Sequence, residues 1–133
     1  MTGMSIELDA GRREFRPGEI VAGSVSWSTD TAPTAVEVRL FWITVGVAPQ
    51  QVGLVKKTVF SRPAARDTRR FEFRLPVGPL SFRGHLAGLA WAVEAVMLPS
   101  RARIGASFEV TRDGGLRQLH PQDRLEESQA EAS

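Results

Sequence analysis

The chain reads as an all-β protein, an antiparallel immunoglobulin-like β-sandwich of about seven strands, on three observations. Hydrophobic side chains recur at period two in segment after segment, the spacing that puts alternate residues on one face of a strand. Glycine and proline, 12 and 8 of the 133 residues, fall largely between those segments and bar a long helix from spanning them. The clearest alternation sets Leu89, Trp91, Val93, Ala95 and Met97 on one face and Ala90, Ala92, Glu94 and Val96 on the other. The first of these faces is therefore core.

In chain order, Ile6 and Leu8 open a first strand. Val21, Gly23, Val25 and Trp27 share a face in the second, which the turn-rich segment at 28–33 ends. Val36, Val38, Leu40 and Trp42 alternate with Glu37, Arg39, Phe41 and Ile43; the second half of this run is apolar on both faces, which predicts a central strand. Residues 52–60 predict its neighbour. At 69–75, Phe71, Phe73 and Leu75 point inward against Arg70, Glu72 and Arg74. After the strand at 89–97, Ile104, Ala106, Phe108 and Val110 close the set. Phe41 and Trp42 are adjacent and cannot share one core, so one of them lies beneath a loop or meets a partner.

Two stretches carry a more specific pattern. One is Phe15-Arg16-Pro17-Gly18-Glu19-Ile20-Val21-Ala22-Gly23-Ser24-Val25; the other runs from Leu75-Pro76 through Pro79-Leu80-Ser81-Phe82-Arg83-Gly84 to Trp91-Ala92-Val93-Glu94-Ala95. Together they resemble the first domain of the arrestin family, whose pattern pairs an early aromatic-x-Pro-Gly-acidic-x-Val-x-Gly-x-Val with a later Leu-Pro, Pro-x-Ser-Phe-x-Gly and Trp-x-Val-x-Ala. The resemblance covers roughly Ile6 to Val110, and Pro17, Gly18, Gly23, Pro76, Phe82, Gly84 and Trp91 carry it. It implies that Ser81 and Phe82 cap and plug a turn. Arrestins and the similar retromer cargo-adaptor subunit place two such sandwiches in tandem, so the resemblance implies half of that architecture. As in a similar bacterial sporulation-control protein, it implies an adaptor or scaffold role.

Length allows one core. The sandwich is expected over 1–112, followed at 113–133 by an acidic tail that is disordered or partly helical, with a short helix at 122–130. The tail holds Asp113, Asp123, Glu126, Glu127 and Glu131 against Arg117 and Arg124, or −3; with +2 overall, the body carries +5. Cysteine is absent and only two histidines occur, His85 and His120. That excludes a disulfide framework, a cysteine nucleophile and a thiolate metal site. No metal or other cofactor is expected. The first fifteen residues lack an apolar run of about 7–15 residues, and no window approaches the ~20 apolar residues of a membrane span. No secretory signal or membrane span is expected, and the cytoplasm is the default location. Fifteen arginines against two lysines suggest a GC-rich bacterial genome.

Catalytic patterns are missing. No Gly-x-Ser-x-Gly, Walker A or Gly-x-Gly-x-x-Gly occurs. Ser81 precedes His85 by four residues in one loop, where a nucleophile and its base would lack separate supports and an orienting carboxylate. Glu72 and Glu94 read as solvated strand positions. The chain is therefore expected not to be an enzyme.

Binding features remain. Lys56, Lys57, Arg62, Arg66, Arg69, Arg70 and Arg74 face only Asp67 and Glu72, a local +5 between 56 and 74, which the sequence places on one hairpin. Lys56, Lys57, Arg62, Arg66, Arg69 and Arg70 are the candidate site for an acidic or phosphorylated partner, because guanidinium forks bind phosphate and carboxylate bidentately. Arrestins read phosphorylated tails with basic residues of this domain, and the resemblance extends that expectation here. Arg12, Arg13 and Arg16 form a smaller second cluster. Nucleic acid is disfavoured, since neither cluster has aromatic stacking platforms or a recognition helix. The competing explanation of the larger cluster is a solvated edge whose charges discourage aggregation. Uncovered sheet edges predict a homodimer. The reading is a non-enzymatic protein-interaction module; the alternative is a small-ligand or carbohydrate-binding sandwich, which needs Trp42 or Trp91 exposed in a concave surface.

Overall fold

A computed structural model describes residues 3–113; the acidic tail beyond 113 lies outside the described residues. The strands are β1 (Gly3–Leu8), β2 (Glu14–Phe15), β3 (Ile20–Ser28), β4 (Ala35–Val45), β5 (Val52–Ser61), β6 (Arg66–Arg74), β7 (Phe82–Arg83), β8 (Gly88–Leu98) and β9 (Arg103–Val110). Seven of these match the alternating segments. The other two, β2 and β7, are two residues long, too short to leave a periodic signal. A single 3-10 turn, Asp9–Gly11, is the helical content of the described residues.

The strands form two facing sheets, one of three strands in the order β1-β3-β6 and one of six, in the order β2-β9-β8-β4-β5 with β7 also pairing β8. All pairs are antiparallel except the short β2–β9 ladder. As its two-sided apolar pattern predicts, β4 is an interior strand, flanked by β8 and β5.

The inner faces are those that alternation assigns. Val21, Val25 and Trp27 of β3 meet Val36, Val38 and Leu40 of β4 in one core, and Trp91 at its centre is 0% exposed. Trp91 stacks on Phe108 at 6.4 Å, and Phe15 meets Phe108 edge to face at 5.2 Å. Burying an indole strands a donor unless it is bonded; here Nε1 donates to the Pro79 carbonyl oxygen at 2.8 Å. Gly23 permits the close approach of β1, since a Cβ there would lie 2.0 Å from the Glu7 carbonyl oxygen.

The two motif stretches meet in space. Arg16-Pro17-Gly18-Glu19 forms a type II turn, with Pro17 at its second position, Gly18 at φ +82° and the Glu19 N–H donating to the Arg16 carbonyl. The Glu19 carboxylate closes the turn, accepting the Arg16 N–H and an Arg12 guanidinium N–H, each at 2.6 Å. Gly18 N–H donates to the Leu75 carbonyl and Leu75 N–H to that of Glu19. The Pro-Gly turn is thereby fastened to the Leu75-Pro76 corner. The Arg16 backbone bond, with help from Arg12, holds the Glu19 carboxyl below its ordinary 4.5.

The expectation for Ser81 and Phe82 divides. Ser81 does brace the end of β9: its N–H donates to the Val110 carbonyl and its Oγ accepts the Val110 N–H at 2.9 Å. Phe82 plugs nothing and is 53% exposed, because Leu80 turns toward the core in this segment instead.

Three outcomes follow from these contacts. Trp91→Ala empties the centre of the core and should cost about 3–5 kcal/mol, read as a fall in the urea midpoint. At Gly18 nothing lies within 4 Å of an added Cβ, so Gly18→Val should cost only the backbone strain of a positive φ, about 1–3 kcal/mol; Gly18→Asn, which tolerates that region, should recover part of it. Glu19 has a depressed folded pKa, so its contribution is present above pH 4.5 and is lost as pH falls through the folded value. Stability of Glu19→Gln, followed by urea unfolding from pH 6 downward, should therefore decline less on acidification than that of the unsubstituted chain.

Candidate functional site

The basic segment is not a hairpin. β5 is the edge of the six-stranded sheet and β6 the edge of the three-stranded one, so the link at 62–65 carries the chain from one sheet to the other. Its anchors explain this path. Trp27 Nε1 donates to the Ala64 carbonyl at 2.8 Å, Thr29 N–H donates to that of Ala65 at 2.7 Å, and Trp27 stacks on Phe60 at 6.5 Å. With the link pinned to the end of β3, β6 pairs with β3 instead of β5. The strand also begins at Arg66, earlier than the alternation at 69–75 indicates.

This crossing scatters the six candidate cations. Lys57 lies 3.7 Å from Glu37, which also receives Arg39 at 2.7 Å. Hydrogen bonding by Arg39, then the charge of Lys57, holds the Glu37 carboxyl below its ordinary range. Arg69 points inward at the seam between the sheets, with Nε 3.1 Å from Asp67 and its guanidinium 5.9 Å from the Phe60 ring centre. Backbone N–H groups of Ala64 and Thr68, together with Arg69, depress the Asp67 carboxyl. Arg70 grips both carboxylate oxygens of Asp9, at 3.1 and 2.5 Å, and that grip lowers the pKa of Asp9 and raises that of Arg70. Of the six, Lys56, Arg62 and Arg66 carry side chains without an ion pair or hydrogen bond among the described residues.

The register brings in a residue that sequence proximity could not. Ala35, at the start of β4, pairs with Ser61 on one side and Leu98 on the other, so the ends of β5 and β8 stand about 10 Å apart, two strand spacings. Arg62 leaves one of these ends and Arg101 follows the other. Both are exposed and both adopt left-handed backbone, at φ 50° and 67°. Arg66 begins β6 at the same end of the sandwich, opposite Ser28. Arg62, Arg66 and Arg101 thus form a cationic end with no internal acceptors for their guanidinium groups among the described residues. Nothing in the local sequence of Arg101 signals this placement.

Two of the three arginines of the second basic cluster, Arg12 and Arg13, are used within the fold. Arg12 lies 4.3 Å above the Phe15 ring and donates to Glu14 and Glu19; Arg13 donates to the Ser107 carbonyl at 2.8 Å. At the far end of the molecule His85 and Leu86 are exposed beside an open depression formed by the loop at 84–87 and the outer surface of β9. Among the described residues no group of three His, Asp or Glu side chains is placed to hold a metal ion. Ser81 spends its hydroxyl on Val110, and Glu72 and Glu94 lie on different sheets.

The adjacent aromatics separate cleanly. Trp42 points inward, packed against the core with its ring across Gly53, where a Cβ would come within 2.0 Å. Phe41 points outward with Ile43 and Val45. Next to them on the same outer surface stand Leu54 and Val52 of β5, 59% and 60% exposed, and Ala92 and Ala90 of β8. Trp91 is fully buried and Trp42 is half-buried against the core.

No protein-family model matches the chain, and no curated protein sequence does. Among solved structures it is similar to Spo0M, a sporulation control protein from Bacillus subtilis, with a TM-score of 0.59 and 14% identity over 82% of this chain and 49% of that one. Fainter similarities reach the superoxide reductase (neelaredoxin) of Ignicoccus hospitalis, with TM-score 0.49 and 12% identity over 83% of this chain and 82% of that one. They also reach a β-glucosidase of Listeria innocua, with TM-score 0.47 and 15% identity over 82% and 16%. The chain spans about half the length of Spo0M. No helix among the described residues is long and apolar enough to cross a membrane. Topology, inner-face composition and the Spo0M likeness agree on the architecture, an arrestin-like β-sandwich.

Proposed function

We propose that this chain is a non-enzymatic interaction module, an adaptor or scaffold that engages an acidic or phosphorylated segment of a protein partner in the bacterial cytoplasm. The observation that carries the reading is the cationic end. Arg12, Arg39, Lys57, Arg69, Arg70 and Arg83 each face a carboxylate of their own chain, whereas Arg62, Arg66 and Arg101, at one end of the sandwich, have none among the described residues. Guanidinium groups left unpaired on one surface offer charge-assisted, forked hydrogen bonds to carboxylate or phosphate. The left-handed backbone at Arg62 and Arg101 fits this role, since strained positions concentrate where side chains must be aimed. Lys56, midway along the edge strand opposite Leu40, is a further cation without a carboxylate partner among the described residues, and it stands apart from this end. A regulatory role also suits the name of Spo0M, a sporulation control protein. No cofactor takes part.

Titration of a labelled acidic phosphopeptide by fluorescence anisotropy tests this. Binding should weaken as salt shortens the Debye length from ~10 Å at 0.1 M to ~3 Å at 1 M. The combined Arg62→Glu, Arg66→Glu and Arg101→Glu variant should lose about tenfold or more in affinity, while Arg70→Gln, whose side chain is committed to Asp9, should stay within about twofold. Removing residues 113–133 deletes −3 of charge and should tighten binding. Indistinguishable curves for the unsubstituted and triply reversed chains would leave the cationic end as ordinary solvated surface.

A further inference from the structure

The long sheet has two outer halves of opposite character. Toward the cationic end its outer surface carries Glu37, Arg39, Lys57, Glu94 and Arg103, joined to one another by ion pairs of 2.7, 3.6 and 3.7 Å. Toward the β4–β5 turn it carries Phe41, Ile43, Val45, Val52 and Leu54 and no charge on β4 or β5. Val45, Val52 and Leu54 are 51%, 60% and 59% exposed, and Val47 in the adjoining turn is 43% exposed. These side chains present on the order of 400 Å² of apolar surface, within the range of the largest patch on a monomer, which is often functional.

The adjacent strand edge is closed to pairing. In β5 the register shifts opposite Leu40 and Phe41, so that Lys56 faces Leu40, Leu54 faces Phe41 and Val55 is the extra residue of a β-bulge. A bulge followed by two lysines on an edge strand is the arrangement that prevents edge-to-edge addition. Antiparallel self-pairing centred on the lysines would set Lys56 against Lys57 of the second copy. An edge-to-edge homodimer through β5 is therefore disfavoured.

We infer that the apolar half of this outer surface packs face to face on the same surface of a second copy of the chain. Two considerations select that occupant. The charges bordering the patch on this outer face are paired within the chain, and the unpaired Lys56 stands opposite inward-facing Leu40 on the other side of the edge strand, so the face holds no unpaired charge with which to select a charged partner, and its best complement is another flat apolar sheet face. A two-fold axis crossing the strands at Ile43 and Val52, which pair at the middle of the apolar half, superposes the two apolar halves while sending the charged halves in opposite directions, an isologous contact without like-charge opposition. Two patches with their polar margins bury on the order of 1,000 Å², the lower limit for a specific dimer. The dimer is accordingly weak and concentration-dependent. Its geometry carries the two cationic ends to opposite extremes of the assembly, so each dimer offers two sites for acidic segments.

Sedimentation equilibrium of the full chain from low to high micromolar concentration tests the inference. The mean mass should rise from 14.6 kDa toward twice that value. Leu54→Glu and Val52→Glu should each weaken association at least tenfold with unchanged circular dichroism, whereas Val77→Glu, 89% exposed elsewhere, should not. Because the chain has no cysteine, Val52→Cys gives an independent readout: a bifunctional thiol reagent that spans the ~10 Å between packed sheets should cross-link it across the two-fold, and should not cross-link Lys56→Cys. A monomer at every concentration overturns the inference, as does a dimer indifferent to Leu54→Glu or one that cross-links through Lys56→Cys. Peptide affinity at the cationic end is measured separately on the Leu54→Glu monomer, so failure of either reading leaves the other standing.

Discussion

Enclosure of Trp91 with its indole N–H bonded to the Pro79 carbonyl is the constraint on which the rest of the sandwich depends. A residue of that volume at 0% exposure must be packed on every side, and its one polar atom needs a partner inside the structure. Pro79 supplies it only if the segment after β6 folds back over the end of the core. That segment is held at one end by the Gly18–Leu75–Glu19 bonds and at the other by Ser81 on Val110. The motif stretches, far apart in sequence, are thus two halves of a single closure.

The passage of the chain from β5 to β6 shapes the chemistry of the surface. Had these strands formed a hairpin, their cations would have shared one sheet. Crossing between sheets instead places Arg70 within reach of Asp9 and Arg69 within reach of Asp67 and Phe60, so that two candidate ligand groups have partners within the chain. The same crossing exposes Arg62 and Arg66 at the end of the sandwich, where the β8–β9 connection delivers Arg101. The outer face of the short sheet is meanwhile lined with hydroxyls, Ser24, Ser26 and Ser28 beside Thr68, with Ser26 and Thr68 bonded at 2.9 Å. It is a wetted face with no apolar patch of the sort found on the long sheet.

The two sheets therefore face water on different terms. Unpaired cations stand at one end of the sandwich and exposed apolar side chains on the long sheet toward the other, with β4 running between them. Ion pairs on the intervening surface bring little stability when exposed; their consequence here is to neutralise the border between the two regions.

By itself the sequence determined the class of fold, the inner face of each long strand and the Pro17-Gly18 turn, because each follows from local rules. Period two assigns a side to every residue, and only particular residues adopt the dihedral angles a turn demands. Which strands become neighbours is not written in that period: alternation says that Phe71 and Phe73 point inward but not whether β6 lies beside β5 or β3. The pairing was settled by long-range contacts such as Trp27 with Ala64, and with it the partners of every charge. Asp9 and Arg70 give no local sign of their bond, Phe82 sits in a motif yet stands in solvent, and Arg101 joins Arg62 only through the register of Ala35 with Ser61 and Leu98. Local periodicity chose the faces, and tertiary packing chose the neighbours, because a strand's side chains repeat by their own geometry while its free hydrogen-bonding edges accept any partner the core brings within reach.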